Sequence, residues 1–186
     1  VVWVMQTNLS EESEGGLSLQ HELQLFLRPS SGRASASLTL KYTDRDNWLL
    51  YSGDRTFTTF KSTQWSPMLR LDGYFTARQQ IRLQLQWVGL RARDNHRWQM
   101  QETGHLAEIT RAADGTRRDF AVSDMTIQLR YRWEIAPLSD LFVVYNRGGG
   151  YDSATIDDDY GDLFKGAFSD PSSEILVAKL RYRFGS

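Results

Sequence analysis

EILVAKLRYRF, Glu174 to Phe184, alternates between two kinds of side chain without a break, and LRYRW, Leu129 to Trp133, nearly repeats its last five residues 51 positions earlier. Successive side chains of a strand point to opposite faces. The later stretch therefore sets Leu176, Ala178, Leu180, Tyr182 and Phe184 against Ile175, Val177, Lys179, Arg181 and Arg183. The earlier one sets Ile127, Leu129, Tyr131, Trp133 and Ile135 against Thr126, Gln128, Arg130, Arg132 and Glu134. Two strands at one level of one sheet would place both Arg pairs on the same side.

Working outward, the same period of two recurs and helical periodicity is almost absent. Leu17, Leu19, Leu23, Leu25 and Leu27 share a face opposite Gln20, Glu22, Gln24 and Arg28, with His21 the polar exception on the leucine face. The pattern predicts an all-β chain of about eight strands, roughly 1–8, 17–28, 33–43, 65–77, 80–92, 121–135, 140–147 and 173–184, in one domain spanning residues 1–186.

A soluble sandwich also alternates, and the connections discriminate. PSSG (Pro29 to Gly32), ARQ (Ala77 to Gln79) and APLSD (Ala136 to Asp140) are tight turns. Between them lie long segments: SEESEGG, about twenty residues from Asp44 to Gln64, about twenty-eight from Arg93 to Phe120, and about twenty-five from Gly148 to Ser172. Regular alternation of turns with long loops is the habit of up-and-down transmembrane β-barrels, with turns in the periplasm. The expected fold is such an antiparallel barrel, or the C-terminal portion of a larger one. On that layout Phe75, Tyr131, Trp133, Tyr182 and Phe184 form a lower aromatic belt, and Tyr42, Tyr145 and Trp87 an upper one.

Composition removes several classes. A net charge of −1 gives no field for nucleic acid. The chain has no cysteine, which excludes disulfides, Cys-ligated zinc and thiol catalysis. No apolar run approaches the ~20 residues of a membrane-spanning helix and no signal-peptide pattern is present. Val1 at the start reads as a processed or partial product. A mean hydropathy of −0.49 looks soluble, but alternating barrels never look hydrophobic on average.

TIQLRYRWEIAPLSDLFVVYNRGGGY, Thr126 to Tyr151, together with the terminal LRYRF, resembles the C-terminal barrel of an outer-membrane family that joins an N-terminal carbohydrate-binding-like domain to a C-terminal domain of unknown function. Members usually carry glycine after the turn proline, where this chain has Leu138. The resemblance implies the bacterial outer membrane, a larger barrel, a periplasmic N-terminal domain and no catalytic residues. The terminal strand with Phe184 resembles the signal read by the barrel-assembly machinery, with Gly185 and Ser186 behind it.

If the apolar face meets the lipid bilayer, the other lines a lumen. It carries Arg28, Arg70, Arg82, Arg130, Arg132, Lys179, Arg181 and Arg183, mostly towards the periplasmic end, with Glu22, Asp72 and Glu134 as acidic partners. Two readings stand: a constriction favouring anions, or an ion-pair network filling a narrow barrel. The run TIDDDYGD offers Asp157, Asp159 and Asp162 as a weak metal candidate without EF-hand spacing; a solvated loop is the plainer reading. His96 and His105 share the longest loop without a motif, and the glycines at 148–150 open no helix, so neither a metal site nor a phosphate-cradling loop is supported. No catalytic constellation and no cofactor is implied. The functions consistent with this reading are a pore, transporter or surface-binding barrel; a soluble sandwich or lipocalin-like binding module and an outer-membrane lipid hydrolase or acyltransferase are the alternatives.

Overall fold

A computed structural model describes residues 1–110 and 117–184. Gly185 and Ser186 lie outside the described residues. The strands are β1 (Val2–Glu11), β2 (Leu17–Leu27), β3 (Ala34–Gly53), β4 (Thr56–Trp65), β5 (Met68–Thr76), β6 (Gln79–Met100), β7 (Leu106–Ile109), β8 (Phe120–Ala136), β9 (Ser139–Ser153) and β10 (Pro171–Arg181), with one helix, α1 (Tyr160–Ser169). All strand pairs are antiparallel, in the order β1-β2-β3-β4-β6-β8-β9-β10, with β5 joining β3 to β6 and β7 pairing with β6.

β3, β4, β6 and β5 close a hydrogen-bonded circuit, and its register explains why. Tyr42 faces Trp65 and Thr39 faces Met68, three residues further along each strand; Gly89 faces Trp65 and Gln86 faces Met68 by the same step. β4 and β5 are thus one long strand interrupted at Ser66–Pro67. Proline has no N–H to give to a ladder, and the gap is bridged by Ser66 N donating to Lys41 O at 2.8 Å and Trp87 N to Pro67 O at 3.1 Å. The sheet is an up-and-down meander of eight strand positions. It is not closed on itself among the described residues, because β1 pairs only with β2 and β10 only with β9.

The long loops between turns are mostly not loops. β3 and β4 run on to a hairpin turn where Gly53, Asp54 and Arg55 all have positive φ (102°, 47° and 61°). β6 continues to Met100 and β7 pairs back along it. Segments such as DRDN and TFTTFKSTQ keep a hydrogen-bonded ladder but have no apolar side to mark the period, so alternation alone missed them. The last long segment, Gly148 to Ser172, hides a different element. β9 extends to Ser153 and is followed by α1, capped by Asp159, whose Oδ1 accepts from Asp162 N at 2.9 Å.

One face of the sheet is apolar across every position. In register it carries Trp3 beside Leu25, Leu38 beside Leu69, Leu71 beside Leu83, Leu129 beside Tyr145, and Leu141 beside Leu180. Its upper limit, away from the short turns, is set on four strands by an aromatic residue followed on the same face by a polar one or by glycine: Tyr42 then Asp44, Trp65 then Thr63, Trp87 then Gly89, and Tyr145 then Arg147. The opposite face is polar, and the sheet bends towards it. A cavity of about 560 Å³ is lined by Glu22, Thr39, Lys41, Gln64, Arg70 and Gln86 among others, from successive strands and one face only. α1 lies on the apolar, convex face at its upper edge, where Leu163 and Ala167 are buried with Trp87, Ala121 and Met125.

Candidate functional site

The concave face is the chemically dense part of the molecule, and the register assembles it as the alternation predicts. Arg82 faces Arg130 across β6 and β8, Asp72 faces Arg82, Lys179 faces Phe142 and Arg181 faces Asp140. Arg28 follows β2 and lines a cavity with Arg70 and Asp72. Arg183 follows β10, which ends at Arg181 rather than Phe184; its N–H donates to Ser139 Oγ at 3.0 Å.

The centre of this network is a residue that sequence reasoning passed over. Asp140 is 1% exposed and receives two guanidinium groups from flanking strands. Arg132 on β8 donates Nε and Nη2 to Oδ1 at 3.1 and 3.0 Å, and Arg181 on β10 donates Nη2 to Oδ2. The Arg132 guanidinium also lies 5.8 Å over the Phe142 ring. Read from sequence, Asp140 closes the turn APLSD. The signal that locates it is parity: Asp140, Phe142 and Val144 share the face that neighbouring Arg132 and Arg130 occupy.

The three acidic partners fare differently. Asp72 accepts from Arg82 Nε at 2.5 Å. Glu22 accepts instead from Gln24 Nε2 at 2.5 Å, and Glu134 has no ion pair among the described residues. Of the basic group, Arg82, Arg132 and Arg181 are ion-paired; Arg28, Arg70, Arg130, Lys179 and Arg183 form no ion pair among the described residues. Arg130 and Arg82, directly opposed, repel, and Asp72 offsets that on one side only. A second cavity on this face, about 410 Å³, is lined by Arg82, Gln128, Arg130, Arg132, Phe142 and Asn146 among others. Such a surface can hold anions or steer them.

The aromatic candidates split. Tyr131, Trp133 and Phe75 lie on the apolar face near the short turns, and Tyr182 and Phe184, past the end of β10, have rings 4.9 Å apart. Tyr42 and Tyr145 mark the upper limit of the band, where Trp65, absent from the sequence-based set, packs tilted against Tyr42 with ring centroids 5.0 Å apart. Trp87 is corrected. It stands at that boundary but is covered by α1, donating Nε1 to Ser123 Oγ at 2.8 Å, with the Phe164 ring 5.5 Å away. His21 sits on the apolar face with its Nδ1 3.0 Å from Thr7 Oγ1, the facing residue on β1.

The acidic run serves the helix. Asp159 caps it, Asp158 accepts from Tyr151 OH at 3.1 Å, and Asp162 pairs with Lys165 at 3.8 Å. No group of three or more candidate ligands for a metal ion gathers among the described residues. His96 is in β6, not a loop, with its Nδ1 2.7 Å from Glu108 Oε1 across to β7. The glycines at 148–150 lie in β9, and Gly149 is where α1 approaches: a Cβ there would stand 1.9 Å from Ala167 O.

Compared with known proteins, residues 14–184 match the family model described as "Domain of unknown function (DUF5916)". No curated protein and no solved structure matches the chain.

Proposed function

The chain belongs to this family, a domain of unknown function (DUF5916), and we propose that it is the wall of an outer-membrane β-barrel whose concave, basic face lines a path or a binding surface for anionic solutes. The observation that carries the reading is the apolar band on the convex face. It runs across all eight strand positions, and α1 covers only its upper edge. Side chains such as Leu71, Leu176 and Leu180 are left 38%, 70% and 61% exposed. Patches of that extent mark a membrane or a partner. A soluble sandwich needs a second layer over the band, and none is present among the described residues. Tyr42, Trp65 and Tyr145, closing the band on three strands, suit a membrane interface.

A bilayer also demands that β1 and β10 find hydrogen-bond partners, since open sheet edges do not occur in hydrocarbon. Each other or further strands would supply them. A periplasmic N-terminal domain and recognition of the last strand by the assembly machinery belong to the same proposal. Arg130, the lining cation of the 410 Å³ cavity that has no ion pair among the described residues, supports the anion preference over a filled ion-pair network.

The test is insertion. The purified chain is expected to require detergent, to enter lipid vesicles, and to migrate differently on gels when unboiled. In planar bilayers it is expected to give anion-preferring conductance. A monodisperse protein in plain buffer that ignores vesicles overturns the membrane reading; insertion without conductance leaves the surface-binding role.

A further inference from the structure

A second basic cluster lies on the other face of the sheet. Lys61 on β4 and Arg93 on β6 face each other in register, and Thr63 faces Arg91 one step of the pleat lower. All four are on the convex, apolar side, above the aromatic limit at Trp65 and Trp87. Together with Ile156 they line a pocket of about 200 Å³ that contains no carboxylate.

Directly opposed cations are unfavourable in a sheet unless something neutralises them. Lys61 reaches Asp46 at 3.5 Å, but both side chains are more than half exposed, so the pair is weakly held. Arg93 forms no ion pair among the described residues. Arg91 donates Nη2 to Ile156 O and lies 5.7 Å over the Tyr160 ring, while its buried Nε has no hydrogen-bond partner among the described residues. A fixed guanidinium with an unused donor, beside two more cations, is suited to an oxyanion.

The height of the pocket identifies the anion. Arg91 is four residues above Trp87 on the same face, roughly 13 Å along the strand, just past the edge of the apolar band. Beside it α1 presents Phe164 and Phe168, 37% and 47% exposed, outward at the band's edge. We propose that Lys61, Arg91 and Arg93 form a site for the phosphate of an outer-leaflet lipid headgroup, with α1 as the platform for its acyl chains. This rests on the membrane reading above.

The probes are bisphosphorylated lipid A, its dephosphorylated form and inorganic phosphate, titrated onto the full chain in detergent micelles and followed by native mass spectrometry. The phosphorylated lipid is expected to bind at least tenfold more tightly than the dephosphorylated one, at ~1 kcal/mol per basic residue for an anionic headgroup. Lys61→Gln with Arg93→Gln should weaken it about thirtyfold on the same scale. Lys61→Arg with Arg93→Lys should restore it, and Arg78→Gln, in the exposed short turn between β5 and β6 at the other end of the sheet, should leave it unchanged. Equal affinity for both lipids overturns the site while vesicle insertion still stands. Inorganic phosphate binding as tightly as the lipid shows a free-anion site and overturns the lipid assignment. A protein soluble without detergent that does not enter vesicles overturns the site and the membrane reading together.

Discussion

At the scale of single residues, two positions on the β8–β9 turn matter. Leu138 follows Pro137 with φ of +61°, the left-handed region that position i+2 of a proline-led type II turn requires. A leucine Cβ is crowded there, at a cost of about 1–2 kcal/mol, whereas glycine is not. Leu138→Gly is therefore expected to stabilise the protein by ~1 kcal/mol, read as a higher urea midpoint with unchanged slope. Asp140, two residues on, holds Arg132 and Arg181. Asp140→Asn leaves the half-exposed Arg132 and Arg181 guanidinium groups facing each other without their buried counter-charge. The expected result is a lower thermal midpoint together with stronger anion preference. A fall in stability with no change in ion preference assigns Asp140 to the frame alone.

At the scale of elements, α1 depends on contacts that the sequence pattern does not announce. Ten residues are too few for a helix to persist alone in water, so Tyr160–Ser169 is ordered by its dock on β6, β8 and β9. Gly149 makes the dock possible, because a Cβ would collide with Ala167 O. Gly149→Val should undock the helix, shift Trp87 emission to the red and speed amide exchange over 160–169, with the rest of the sheet unaffected. The cap gives a pH dependence. N–H groups of Asp162 and Gly161 hold the Asp159 carboxyl below the usual carboxylate range. A group with a depressed native value stabilises above its unfolded value, about 3.9, and that contribution fades as pH falls through the native one. Protection factors over α1, which are corrected for the intrinsic pH dependence of amide exchange, should be flat from pH 7 to 5 and fall below about pH 4; Asp159→Ala should lower them at every pH above that and remove the step.

The same helix shows where sequence legibility stops. In the lower half of the sheet each strand has one apolar face, so period two located every strand there. Above Tyr42, Trp65 and Trp87 the apolar residues no longer alternate, as in TFTTFKSTQ and the run WLLY, so the extensions of β3, β4 and β6 carry no period of two. α1 sits in a glycine- and aspartate-rich stretch that reads as loop, and its apolar positions, Leu163, Ala167 and their neighbours, are too few to set a period. The basic face was legible because parity alone assigns it. Its hub at Asp140 was not: the residue closes the turn APLSD and also opens the strand 140–147, and only the strand's parity puts it on the basic face.

At the scale of the whole molecule, the question is whether the concave face is a filter or a frame, and the structure divides that question between residues. Arg181 is tied to Asp140, so its charge is already spent on the sheet. Arg130 has no ion pair among the described residues and is opposed by Arg82, so its charge is directed into the open space of the 410 Å³ cavity. Arg181→Glu sets a second carboxylate against the buried Asp140 and should lower the thermal midpoint. Arg130→Glu relieves a repulsion and creates a partner for Arg82. It should leave the midpoint equal or higher while moving reversal potentials in a salt gradient towards cations. Identical effects of the two substitutions on stability, with reversal potentials unmoved by either, would show that the face is a structural network and that anions do not pass along it.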